Sequence, residues 1–124
     1  MKQRAVKIIG GVCLAAVLAT GCVHTDPWTK QDKILEGTYL ALHTVDWMQT
    51  RHADWSKFYE KNPILGQAPS KTKTDLYFLA TGVLHPVVTH LLPQEWRVWW
   101  QGITIGVEVA AVGSNFHIGM SLGF

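Results

Sequence analysis

Three polar stripes run through otherwise apolar stretches of this 124-residue chain. His43, Asp46 and Thr50 recur at i, i+3 and i+7, which on a helix is one face. Thr81, His85 and Thr89 follow at steps of four, and Thr104, Glu108 and Asn115 at steps of four and seven. Burying an isolated charge is costly, so these side chains must face one another or a wet cavity. Two imidazoles and two carboxylates, His43, Asp46, His85 and Glu108, form a donor set that suits zinc, manganese or iron. The same four groups could relay protons. The competing reading is a polar network that fixes helix register. Spacing favours the network, because neither HExxH nor ExxH occurs. No nucleophile elbow, phosphate loop or dinucleotide fingerprint is present, so a non-enzymatic protein is expected. His24, His52, His90 and His117 stand apart from the stripes and read as surface or loop residues.

The elements that must position these residues follow from periodicity and breakers. Ile34, Thr38, Ala41, Val45 and Met48 predict a helix over roughly Asp32 to Glu60. Pro63, Gly66, Pro69 and Ser70 then mark a loop from Asn62 to Thr74. A second helix is expected from about Lys73 to Leu92, capped by Ser70 or Thr72 and kinked at Pro86. After Pro93 a third segment runs from Gln94 to about Asn115. Ile103, Ile105, Val107 and Val109 alternate with smaller or polar residues, so a hairpin turning at Gly113–Asn115 with a strand from Phe116 to Phe124 is the alternative. A helix through Ser114 is preferred, with Gly106, Ala110, Gly113 and Ser114 as close-packing positions. The expected fold class is mainly α, a small bundle of about three helices. The second and third segments are long enough to raise membrane embedding as an expectation.

The N-terminus supplies the compartment. Lys2, Arg4 and Lys7 precede an apolar run from Ala5 to Ala19, which ends in Thr20, Gly21 and Cys22. This resembles a bacterial lipoprotein signal peptide with a lipobox, although Ala19 stands where the pattern usually has Leu, and Leu18 is one place earlier. The resemblance implies cleavage after residue 21, a covalent lipid (palmitate among its acyl chains) on Cys22, and no other cofactor. It divides the chain into a signal peptide (1–21), a tether (22–31) and a helical membrane-associated domain (32–124). Cleavage takes away three of the 11 Lys and Arg, leaving 8 against 9 Asp and Glu. The basic balance therefore belongs to targeting and argues against a nucleic-acid partner. Cys13 leaves too, so the mature chain can form no internal disulfide.

Trp47 and Trp55 fall late in the first helical segment, and Trp96, Trp99 and Trp100 open the third, as in a membrane-interface belt. Arg51, Lys57, Lys61, Lys71 and Lys73 gather around the first loop, which the positive-inside rule would place in the cytoplasm. Val23 after the lipidated cysteine is instead typical of export to the outer membrane, so a lipid anchor in either membrane of the cell envelope is expected.

Asp46-Trp47-Met48-Gln49-Thr50 followed by Glu60-Lys61-Asn62-Pro63-Ile64-Leu65-Gly66 is similar to a pattern in small bacterial and phage membrane proteins of no assigned activity. In physical terms, Asn62 before Pro63 is pushed out of the α region, and its side chain can bond the turn backbone. Glu60 could bond turn amides or pair with Lys57. The leading functional expectation is a lipid-anchored envelope protein with a structural or partner-binding role. Its partners would be membrane lipid and a protein partner or a second copy of itself. A phage-type unimolecular spanin-like lysis lipoprotein and an intramembrane metal- or proton-binding protein are the alternatives.

Overall fold

The computed structural model describes residues 26–123. The segment read as a signal peptide, Cys13, the expected lipid-attachment residue Cys22 and His24 lie outside those residues. Three helices make up the fold: α1 (Lys30–His52), α2 (Lys71–Leu91) and α3 (Gln94–His117).

α1 opens on a capping box. The Asp32 amide donates to Thr29 Oγ1 at 3.0 Å, and the Thr29 amide donates to Asp32 Oδ2 at 2.9 Å. The helix thus starts two residues inside the expected tether. It also stops at His52, well short of Glu60. Asp54 is the reason: its Oδ1 accepts from the Ser56 amide and hydroxyl at 3.1 and 2.6 Å, and its carbonyl accepts from the Lys57 and Phe58 amides. These local bonds offer the backbone an alternative to helix. Lys57 pairs with Asp54 at 3.3 Å, not with Glu60.

Glu60, Asn62 and Pro63 lie eight to eleven residues past the helix end and build a turn of their own. Glu60 Oε1 accepts from the Asn62 amide at 2.8 Å, and Asn62 Oδ1 accepts from the Ile64 amide at 3.0 Å. The turn closes at Gly66, whose φ of 81° suits a residue without Cβ. It presses Leu65 into the interior and is tied to α2 by Lys73 Nζ, which donates to the Leu65 carbonyl at 2.7 Å.

Ser70 caps α2, accepting from the Lys73 amide at 3.2 Å, and the helix continues through Pro86. α3 follows after the Leu92-Pro93 step and runs to His117, past the turn proposed at Gly113–Asn115. The hairpin alternative is therefore corrected, and there is no strand among the described residues. What decides for helix is the polar residues. Thr104, Glu108 and Asn115 all reach bonding partners from one helical face, which a strand of alternating faces cannot arrange. Met120 then folds back, its amide donating to the Asn115 carbonyl at 2.9 Å.

α1 and α3 run parallel, with α2 antiparallel to both: Arg97 at the start of α3 meets Asp32, Asn115 at its end meets Asp46, and Trp28 before α1 donates to His90 at the end of α2. α1 packs extensively on both of the others, while α2 and α3 touch each other little.

The core is polar. Asp32, Glu36, His43, Gln49, Thr50, Thr74, His85, Thr89, Arg97, Gln101 and Glu108 are buried, against only five buried hydrophobic residues, Tyr39, Leu65, Phe78, Val112 and Met120. The exterior is apolar: Leu76, Leu79, Val83, Leu84 and Val87 on α2 and Trp96, Trp99, Ile103, Val107 and Val109 on α3 are exposed. Among the described residues no helix is long and apolar enough to cross a membrane. The inward stripes explain this, because a polar side chain at every third or fourth position dilutes each helix.

Candidate functional site

The three stripes meet along the bundle axis as one continuous polar spine. At the tether end the Arg97 guanidinium is fully buried. It donates to Asp32 Oδ2 (3.3 Å) and to the carbonyls of Asp26 (2.9 Å), Pro27 (3.3 Å), His90 (3.3 Å) and Leu92 (3.1 Å). Gln101 Nε2 then bridges the Asp32 carbonyl and Glu36 Oε2, both at 2.9 Å.

Two histidine–glutamate pairs occupy the middle. His85 Nδ1 lies 2.7 Å from Glu36 Oε1, and His43 Nδ1 lies 2.7 Å from Glu108 Oε1. Tyr39 is sandwiched between the imidazoles, its ring centroid 3.5 Å from that of His85 and 5.2 Å from that of His43. The four residues expected to share a site therefore do not converge on one point. His85 takes Glu36, which the sequence reading left out of the site, and only His43 takes Glu108. Among the described residues no group of three or more His, Cys, Asp and Glu could hold a metal ion.

The second ring nitrogens are also engaged. His43 Nε2 faces the Phe78 carbonyl at 3.0 Å, which can only accept, so this nitrogen carries hydrogen. His85 Nε2 faces Thr104 Oγ1 at 2.8 Å, whose own hydrogen points to the Trp100 and Gln101 carbonyls. Neither imidazole keeps a free lone pair for a metal. In each pair one proton is shared between Nδ1 and a carboxylate.

The two pairs differ in what supports the carboxylate. Burial pushes Glu36 up, but bonds from His85, Gln101 and Thr89 outweigh it and hold the carboxyl below its ordinary range. Burial likewise works against a charged His43, but Glu108 and the Phe78 carbonyl raise it above the usual histidine range. Glu108 itself accepts only at Oε1, and its Oε2 is buried without a partner.

Beyond Glu108 the spine ends at a cavity of about 430 Å³, lined by the start of α2, the later part of α3 and the 55–65 loop. Asp46 lies on its wall, with Oδ1 accepting from Asn115 Nδ2 at 2.8 Å. Burial, then the nearby Glu108 and Glu60 carboxylates, push the Asp46 carboxyl up to about 7, against the opposing pull of His43 and Asn115. An unfolded aspartate titrates near 4, so the native state holds the extra proton between roughly pH 4 and 7, and stability falls as pH rises through that window. Asp46→Asn, which keeps the acceptor for Asn115, is expected to raise the unfolding temperature by a few degrees at pH 7.5, about 1 kcal/mol, and by almost nothing at pH 4.5. Thermal unfolding in detergent at both pH values checks this, and an equal gain at both would contradict it.

Glu36, Asp32, Arg97 and Gln101 are the spine residues that sequence reasoning missed. Their signal is the same stripe carried one turn further: Asp32, Glu36, Tyr39, His43 and Asp46 alternate steps of four and three, as do Arg97, Gln101, Thr104 and Glu108. His52, His90 and His117 are exposed, and Trp28 Nε1 donates to His90 Nδ1 at 3.1 Å. No protein-family model, curated protein or solved structure matches this chain.

Proposed function

We propose that the chain is a lipid-anchored cell-envelope protein of structural or partner-binding role, whose bundle rests with its apolar exterior against bilayer hydrocarbon. One observation carries this reading: the inside-out distribution of polarity. Between Leu76 and Val87 on α2 and between Trp96 and Phe116 on α3, no exposed residue is Asp, Glu, Lys or Arg, because Arg97 and Glu108 face inward. On α3 this charge-free surface is about 30 Å long. Exposed charges sit at the two ends, with Lys30, Lys33 and Glu95 at one and Lys57, Lys61, Lys71 and Lys73 at the other. Soluble monomers rarely expose an apolar surface of this extent. The tether supports the same arrangement. Arg97 grips the Asp26 and Pro27 carbonyls, so the chain toward Cys22 departs from the end that carries exposed Trp96 and Trp99. Tryptophans at that level suit the interface where a lipid anchor enters.

Reconstitution in vesicles of phosphatidylcholine brominated on its acyl chains tests the reading. Strong quenching of tryptophan fluorescence is expected, in the native chain and equally in Cys22→Ser, because the bundle itself meets the acyl chains. Fluorescence unaffected by the bromines, with the protein self-associating through α2 and α3, would assign the apolar faces to a second copy and overturn the proposal.

A further inference from the structure

A buried basic group cross-links the bundle toward each end of the spine. Arg97 at the tether end cannot lose its charge, whereas His43 at the cavity end can. The His43 ring reaches from α1 to both of the other helices. Its Nδ1 lies 2.7 Å from Glu108 Oε1 on α3, and its Nε2 lies 3.0 Å from the Phe78 carbonyl on α2. Because α2 and α3 touch each other little, this ring ties all three helices at its level. Both of its partners accept. Thr81 Oγ1, 3.0 Å from Nε2, is committed as a donor to the Tyr77 carbonyl at 2.8 Å. A cationic ring has one N–H for each neighbouring helix. A neutral ring has one N–H for two acceptors, whichever nitrogen keeps it. The tie is therefore complete only in the protonated state.

The two histidine–glutamate pairs differ in what a lost proton leaves behind. Glu36 would still accept from Thr89 and Gln101, both at 2.9 Å. Glu108 accepts from His43 alone among the described residues, and its Oε2 has no partner. The Tyr39 hydroxyl, 3.4 Å from His43 Nδ1, can turn to the neutral ring but brings Glu108 nothing. A carboxylate buried without donors is costly, so it draws in water. The cavity is the nearest route for that water, since its wall includes His43 and Glu108 but neither His85 nor Glu36.

We infer that His43 is a pH-operated clasp: protonated, it holds α2 and α3 to α1, and on losing its proton it releases Glu108 to water and opens the cavity end of the bundle, while Arg97 keeps the tether end shut. The inference goes beyond the membrane reading and does not depend on it. The groups around the ring set the pH of opening: Tyr39 and Asp46 on α1, Tyr77 on α2, Glu60 and exposed Lys61 on the loop, and Glu108 on α3. Burial works against the charged ring, but the bonds to Glu108 and the Phe78 carbonyl, then the charges of Glu108 and Asp46, raise it above the ordinary histidine range. The clasp is thus fully closed below about pH 6.5 and opens as pH rises through the folded value. Asp46, itself pushed up to about 7, favours the ring's charge once ionised and so delays the opening.

Hydrogen–deuterium exchange of the intact protein in detergent, at pH 6 and pH 9 and corrected for the intrinsic pH dependence of amide exchange, tests the clasp. Protection of residues 107–112 should fall at least tenfold at pH 9, with that of residues 98–102 unchanged. In the native chain the ¹⁵N signals of the His43 ring should show both nitrogens protonated at pH 6. Glu108→Gln supplies an amide that can donate to Nδ1 of the neutral ring, so its protection at pH 9 should match that at pH 6. Asp46→Asn should keep the pH dependence and move its midpoint to lower pH. Equal protection of 107–112 at both pH values in the native chain overturns the inference, as does a loss shared equally by 98–102. A loss undiminished in Glu108→Gln overturns it too, and a pH dependence abolished by Asp46→Asn overturns it by giving the switch to Asp46.

Discussion

Arg97→Ala should leave the bundle unfolded or nearly so, with a loss of about 3–5 kcal/mol. The guanidinium is fully buried and fills its donor capacity with Asp32 and four carbonyls from two parts of the chain, the segment before α1 and the end of α2. Truncation removes the donors but leaves the acceptors in place, and a buried carboxylate without its cation is the larger part of the penalty. The double variant Asp32→Asn with Arg97→Met separates the two effects. It discards the charge pair together, so it should cost distinctly less than Arg97→Ala alone. Chemical denaturation of the three proteins in detergent measures this. A double variant as unstable as the single one would mean that the bonds to carbonyls, and not the charge pair, dominate that end.

Glu36→Gln should destabilise much more than Glu108→Gln, by about 2–4 kcal/mol against about 1. The spacing of the stripes suggests the reverse, since Glu108 is the acid centred among apolar residues. The structure gives Glu36 three donors, His85, Thr89 and Gln101, each fixed by further bonds. A glutamine there presents an amide N–H₂ to at least one donor and unseats the set. Glu108 has one donor, His43, and a second oxygen already unmet, so the amide loses little. The pH dependence carries the same asymmetry. Glu36 is depressed, so its stabilisation is present above the unfolded carboxylate range and fades as pH falls through its folded pKa. His43 is raised, so its stabilisation is complete below about pH 6.5 and fades as pH rises through its folded pKa. Denaturation midpoints at pH 4, 6 and 8 read both. Equal losses in the two variants would show that the carboxylates are interchangeable.

The helical class and the inward stripes are legible in the sequence because period alone reveals them. His43, Asp46, His85 and Glu108 do lie on inward faces, and Glu60, Asn62 and Pro63 do make a turn. Partner choice is not legible. Which acid meets His85 depends on how far α2 is shifted along α1, and a stripe read on one helix carries no such offset. Asp32 and Glu36 are hidden for another reason: acids in a first turn ordinarily face water and the helix dipole. Helix ends failed in both directions. Asp54 halts α1 with its own side chain, whereas Asn115, a residue that favours turns, stays helical because Asp46 and Gln49 receive its amide.

The scant contact between α2 and α3 bears on the order of assembly. Neighbours in sequence joined by a two-residue step would ordinarily find each other first. Here each finds its polar partners on α1, across separations such as 49 residues for His85 to Glu36 and 65 for Glu108 to His43. Closing such loops must precede most of the bonding, which slows folding and makes it all-or-none at the end. α1 is made first and, if Cys22 is acylated, is held at the membrane surface while the rest emerges. It would then serve as the template on which both later helices settle, and the tether would limit the search as well as the location.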